Sequence, residues 1–82
     1  MRLDDFLSTV GVIKRRTLAK ELAQNGLVHV NGRKAKAAHQ LRAGDIIAIR
    51  GSNPVTVEVL SLPTSSVSKE KRSEFFRLLP GS

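Results

Sequence analysis

Eight cations define the chemistry open to this chain: Arg2, Lys14, Arg15, Arg16, Lys20, Arg33, Lys34 and Lys36. Lys14 to Arg16 are consecutive, and Lys20 follows Arg16 by four residues, which places the two on one helix face. Lys34 and Lys36 alternate as side chains do along one face of a strand. Ammonium and guanidinium groups gathered in this way bind phosphate oxygens, the first as a point charge and the second through paired hydrogen bonds. Nucleophilic, redox and metal chemistry have little to work with. The chain has no cysteine, and neither of its two imidazoles, His29 and His39, has a carboxylate or nucleophile spaced to partner it. The residues point to a non-enzymatic binder of a polyanion, with no catalytic residue, cofactor or metal. His29 reads as a surface or phosphate-adjacent residue, and His39 has no assignable role.

The charge is unevenly spread. Residues 1–50 carry 10 Lys+Arg against 4 Asp+Glu, and residues 51–82 carry 4 against 3, so nearly all of the net +7 sits in the first half. A uniform solvating coat does not explain that bias, whereas a polyanionic partner does. An acidic membrane surface is the weaker candidate, because no segment pairs a cationic face with exposed Trp or Phe. The longest apolar runs, such as Ile46 to Ile49, fall far short of the roughly 20 residues a transmembrane helix needs, and M-R-L-D-D has no signal-peptide core. A soluble, cytoplasmic chain is expected. Eighty-two residues make one small domain that buries about 60–65% of its unfolded surface, which leaves no room for an enclosed substrate chamber.

The elements that would position the cations follow from periodicity. Leu3, Phe6, Leu7 and Val10 form the stripe of a first helix, with Asp4 and Asp5 suited to its N-terminal dipole and Gly11 ending it. A second helix is predicted over about 15–25, with Leu18, Ala19, Leu22 and Ala23 along one side and Gly26 as its stop. Three cations at its start run against the dipole preference, a local conflict that suggests a role outside stability. Arg2 either forms a surface ion pair with the acidic residues or lies beside the Lys14 to Arg16 cluster, because the two helices must pack their apolar stripes together. Val28-His29-Val30 then changes the period to two, and Asn31-Gly32 supplies a type I′ turn. The hairpin pairs Val30 with Arg33, His29 with Lys34, Val28 with Ala35 and Leu27 with Lys36. Its core face holds Val28, Val30, Ala35 and Ala37, and its outer face is cationic. Leu41 anchors the following loop. Strands are predicted over 46–50 and through Val55, Val57 and Val59. Thr64 to Ser68 reads as a linker, and Ser68 as the cap of a last helix that carries Phe75, Phe76, Leu78 and Leu79 and is closed by Pro80-Gly81.

R-L-D-D-F-L at 2–7, K-R-R-T-L-A at 14–19, G-L-V-H-V-N-G at 26–32, K-A-K at 34–36 and G-D-I-I at 44–47 together resemble the RNA-binding domain named after ribosomal small-subunit protein four, the S-four domain. The resemblance implies an α+β fold of αL type. In it, two N-terminal helices pack on a small, mainly antiparallel sheet of about four strands, with a short C-terminal helix beyond. Residues 1–63 would form the S-four domain and 64–82 the linker and helix. Structured RNA would be bound by Arg2, Lys14, Arg15, Arg16, Lys20, Arg33, Lys34 and Lys36. Over its whole length the chain is similar to the RqcP group of stand-alone proteins of bacterial ribosome quality control. That resemblance implies a partnership with large-subunit rRNA and peptidyl-tRNA on obstructed subunits, in support of C-terminal tailing of stalled chains. It also implies a tailing factor on the same subunit as a further partner, and a monomer. Asp5 departs from the pattern R-L-D-K-F-L, so one contact made by a Lys there is absent or replaced.

Four alternatives remain open at this level. Heat-shock S-four proteins, which recycle obstructed large subunits, carry a longer basic C-terminal extension that these residues lack. A general rRNA-binding or ribosome-assembly factor would share the same surface. A targeting domain of a pseudouridine synthase or rRNA methyltransferase would be followed by a catalytic Asp constellation or a Gly-rich cofactor turn, neither of which is present here. A DNA- or protein-binding module is the remaining class, and competition between structured RNA and duplex DNA separates it.

Overall fold

The structure is a computed structural model that describes residues 1–80; Gly81 and Ser82 lie outside the described residues. Helix α1 (Leu3–Thr9) buries Leu3, Phe6 and Leu7, and the C-cap Val10 continues the stripe the sequence sets out. Its first backbone donors are satisfied by a loop: Leu3 N–H donates to the His39 carbonyl at 2.8 Å and Asp4 N–H to the Ala37 carbonyl at 3.1 Å. The 37–39 segment is therefore fixed to the start of α1. Truncation of the fully buried Phe6 to Ala would cost about 3–5 kcal/mol.

Helix α2 (Arg16–Gln24) is capped by Arg15 and Asn25 and ends at Gly26, whose φ of 73° only glycine adopts without strain. Gly26 N–H donates to the Ala23 carbonyl and Leu27 N–H to the Leu22 carbonyl at 2.9 Å, the paired bonds of a Schellman stop. The apolar stripe is narrower than the spacing suggests. Ala19 and Ala23 are buried, Leu22 is half-buried, and Leu18 is 46% exposed. The two alanines bring the helix close to the core, and the leucines lie along its flank.

Strand β1 (Val28–Val30) pairs with β2 (Arg33–Lys34) in the expected register, His29 with Lys34 and Val30 with Arg33. Asn31 and Gly32 take φ of 53° and 83°, as a type I′ turn requires. Ala35 N–H still reaches the Val28 carbonyl at 3.0 Å, but Leu27 does not pair with Lys36. Leu27 is engaged elsewhere, since its N–H closes α2 and its carbonyl accepts Arg50 N–H at 2.7 Å. The turn is also fastened to the start of β3 (Ile46–Ile49). Asn31 N–H donates to the Ile46 carbonyl, Asn31 Oδ1 accepts Ile46 N–H at 2.9 Å, and Asn31 Nδ2 donates to Asp45 Oδ1 at 3.1 Å.

Strand β4 (Val55–Val59) continues the sheet, with Val57 and Val59 buried beside Ile47 and Ile49. The C-terminal expectation needs correction. The helix is a 3₁₀ turn, Lys69–Glu74, and the apolar residues assigned to it belong instead to a fifth strand, β5 (Phe76–Leu79). The sheet therefore has five strands, all antiparallel, in the order β2-β1-β3-β4-β5. Phe-Phe-Arg-Leu-Leu fits a strand as well as a helix, and the outer edge of β4 presents backbone groups that a fifth strand satisfies. Arg77 pairs with Glu58 directly opposite it. Phe75 and Phe76 pack against the core, and Arg72 lies against Gly11 at the end of α1, so this segment docks on the domain. Leu41 is buried as expected. Both helices lie on one side of the sheet, sharing a core with Val28, Val30, Ile47, Ile49, Val57 and Val59.

Candidate nucleic-acid interface

The start of α1 gathers charge around a carboxylate that is only 1% exposed, Asp4. Arg2, in extended conformation at the helix cap, donates from Nε to Asp4 Oδ1 and from Nη2 to Oδ2, both at 3.1 Å. Arg16, the first residue of α2, donates from Nε to Asp4 Oδ2 at 3.3 Å and from Nη1 to Asp5 Oδ1 at 2.8 Å. Asp5 N–H completes the set at 2.8 Å from Asp4 Oδ1. Burial, the largest single influence, pushes the Asp4 carboxyl up, but the hydrogen bonds from Arg2, Arg16 and the Asp5 amide, with the Arg16 charge, outweigh it and hold the group below its ordinary value. Two cations thus meet two carboxylates here. The Arg2 and Arg16 side chains are 39% and 52% exposed and so still present a face to solvent. Arg2 makes the ion pair and also sits beside Arg16, so both sequence readings of Arg2 describe the same corner.

From Arg16 the surface continues along α2 through Lys20 and Gln24, each one turn further along, about 5.4 Å per turn. It reaches Lys34, whose side chain lies across Gly26: a Cβ at that glycine would stand 3.4 Å from Lys34 Cε and 3.5 Å from Nζ. Lys34 and Lys36 line a shallow concavity of about 410 Å³ with Ala23, Gln24 and Asn25 at the helix C-terminus, where positive charge suits the dipole. The chain then runs from Ala35, bonded to β1, to Ala37, bonded to α1. Arg2, Arg16, Lys20, Lys34 and Lys36 consequently border one connected surface.

The remaining predicted residues divide. Arg15 is exposed at the cap of α2. Lys14 lines the opposite flank of α2 with Leu18, Leu22, Ile49 and Arg50, and is not brought to the surface that Lys34 and Lys36 share. Arg33 faces a second concavity together with His39 and Arg42. Among the described residues, Lys14, Arg15, Lys20, Arg33, Lys34, Lys36, Arg42 and Arg50 form no ion pair. Sequence reasoning missed Asp4 as the organiser of the corner and Arg42 as a further cation. The clue to Arg42 was its place three residues before Asp45, whose carboxylate accepts its backbone N–H at 2.9 Å.

No helix among the described residues is long and apolar enough to cross a membrane. The family model for the S4 domain matches residues 1–47, more than half of the sequence. The chain belongs to the S4 domain family. Beyond the S4 match, it is 42% identical over 80 residues to the RQC P-site tRNA stabilizing factor of Bacillus subtilis, covering 96% of this chain and 92% of that one. The S4 fold recurs in Vibrio cholerae heat shock protein 15, a trimeric structure with a TM-score of 0.86 at 26% identity, over 98% of this chain and 82% of that one. It recurs again in the solution structure of hypothetical protein HP1423, with a TM-score of 0.83 at 31% identity over the full length of both chains.

Proposed function

We propose that this chain is a non-catalytic RNA-binding protein that engages rRNA and tRNA on a large ribosomal subunit obstructed by peptidyl-tRNA, and acts in ribosome-associated quality control. The observation that carries this reading is similarity across nearly the whole chain to the RQC P-site tRNA stabilizing factor of Bacillus subtilis. The cationic surface gives it a physical basis. A-form RNA hides its base edges in a deep major groove, so a rigid surface with free lysines and few aromatics reads phosphates, 2′-hydroxyls and the relative placement of helices. Arg2, Lys14, Arg15, Arg16, Lys20, Arg33, Lys34 and Lys36 are the proposed contacts. Arg2 and Arg16 would act through the outer faces of guanidinium groups that Asp4 holds in place. In this reading the protein works in the cytoplasm as a monomer, alongside a factor that tails the nascent chain.

Sedimentation of the tagged protein from cell lysate through a sucrose gradient tests the assignment. Enrichment with large subunits that carry peptidyl-tRNA is expected, and a protein that stays at the top of the gradient overturns it. If about six cations contact phosphate, log K against log salt for structured RNA has a slope of roughly −4 to −5. A slope near zero removes the electrostatic basis. The likeness to heat shock protein 15 favours, as a second reading, recycling of obstructed subunits rather than support of tailing. Nascent-chain tails that persist in cells lacking the protein would favour that alternative.

A further inference from the structure

Beside the hairpin tip lies an open concavity of about 620 Å³, larger than the one of about 410 Å³ at the end of α2. Two buried residues, Val30 and Ala35, line it with apolar surface, and Arg33, Lys34 and Arg42 supply three cations. The exposed His39 ring and the Gln40 amide complete the wall.

The polar groups around it are divided between those already engaged and those left free. Among the described residues Asp45 is the only carboxylate lining the concavity, and both its oxygens are taken, Oδ2 by Arg42 N–H at 2.9 Å and Oδ1 by Asn31 Nδ2 at 3.1 Å. The Asn31 side-chain oxygen is taken by Ile46 N–H. Gln40 accepts the terminal ammonium of Met1 through Oε1, which leaves its NH₂ group as a donor. The guanidinium groups of Arg33 and Arg42 and the ammonium of Lys34 form no ion pair among the described residues. What remains free is chiefly the three cationic side chains, with the Gln40 amide donor and the His39 ring, around an apolar base.

That combination does not suit a paired RNA helix, whose convex backbone would touch the rim and leave the apolar lining unused. It suits a nucleotide displaced from the stack. The volume lies within the roughly 300–1,000 Å³ of small-ligand sites, and unstacked bases in RNA are characteristically laid on aromatic rings or guanidinium planes. We infer that this concavity receives one unpaired nucleotide of the bound RNA, its phosphate held by Arg33 and Arg42 and its base laid against His39 and the Val30–Ala35 surface. The inference rests on the RNA-binding reading above and adds to it a preference for interrupted helices.

Fluorescence anisotropy with two RNA hairpins of equal length, one fully paired and one with a single-nucleotide bulge, tests it. The wild-type chain is expected to bind the bulged RNA about tenfold more tightly, the scale of one base–ring stack. His39→Ala and Arg42→Ala should each reduce that preference to about twofold or less, with binding of the paired hairpin weakened about fivefold at most. Lys69→Ala, outside the concavity, should leave the preference intact. His39 and Arg42 are exposed, and unchanged thermal melts would verify that the variants fold. Equal wild-type affinity for the two RNAs, or a preference that survives both variants, overturns the pocket while leaving RNA binding in place. Failure of the wild-type chain to bind either RNA overturns both.

Discussion

Arg2 and Arg16 at the helical corner and Arg33, Lys34 and Lys36 on the hairpin side read alike in the sequence, as cations available to a polyanion, and the fold adds Arg42 to the second group. In the folded chain the first pair is engaged by Asp4 and Asp5, whereas the second group meets no carboxylate in ion-pair contact among the described residues. The corner trades net charge for position: in the proposed reading its guanidinium groups would have little freedom left to lose on meeting phosphate. The hairpin side keeps its full charge and must immobilise flexible stems on binding, at a cost of about 0.5–1.5 kcal/mol per side chain. Long-range attraction and salt dependence should therefore come chiefly from the hairpin side, and register from the corner.

The largest effect that separates the two regions is expected from Arg33→Ala, Lys34→Ala and Lys36→Ala combined. The salt slope should fall by about 2–3 and RNA affinity by about 100-fold or more at physiological salt, with stability within about 0.5 kcal/mol per site. A salt titration with a parallel melt measures both. Asp4→Ala should act in the opposite sense, lowering stability by about 2 kcal/mol and the melting temperature by about 10 °C while adding positive charge at the corner. A thermal melt that does not move would mean that the corner is not preorganised by Asp4. Arg16→Ala should fall between these, costing about 1 kcal/mol and no more than about one unit of salt slope. Arg16→Lys should restore the slope but not the melting temperature, because an ammonium cannot span Asp4 and Asp5 as the fork does.

The smallest effect is on pH dependence. Asp4 is held below its ordinary value, so its stabilising contribution is full above the unfolded-chain value of about 3.9 and is lost as pH falls through the lower folded value. Asp4→Asn should remove that part of the acid sensitivity. Urea melts between neutral pH and about pH 3 compare the two chains, and identical slopes would show that the carboxylate contributes nothing through its proton.

Much of this arrangement was legible in advance, for local reasons. The stripe of α1, the glycine stop of α2 and the Asn31-Gly32 turn each depend on residues within a few positions, and each is present. What failed depends on long-range partners. Phe76 to Leu79 follow the open edge of β4, 17–23 residues away in the chain, and no local period separates that strand from a helix. Leu18 is exposed because Ala19 and Ala23 set how closely α2 approaches. The cations could be counted from the sequence, but which of them were already paired depended on Arg16 reaching Asp4 across twelve residues. Lys14 precedes the extended cap residue Arg15 and lies outside α2, in a bend that carries it to the flank lined by Leu18 and Leu22.

The fastening of Asn31 to Ile46 and Asp45 also bears on the chemical lifetime of the protein. An asparagine before glycine loses ammonia when the glycine nitrogen attacks the side-chain carbonyl carbon, closing a succinimide that water then opens to isoaspartate or aspartate. In the native turn both atoms of that amide are held by hydrogen bonds, so ring closure has to wait for the hairpin to come away from β3. Conversion to aspartate would replace the donor facing Asp45 with a second anion, and the repulsion would loosen the loop beneath Arg33 and Arg42. Aged molecules would lose grip at the hairpin tip while the Asp4 corner stayed intact.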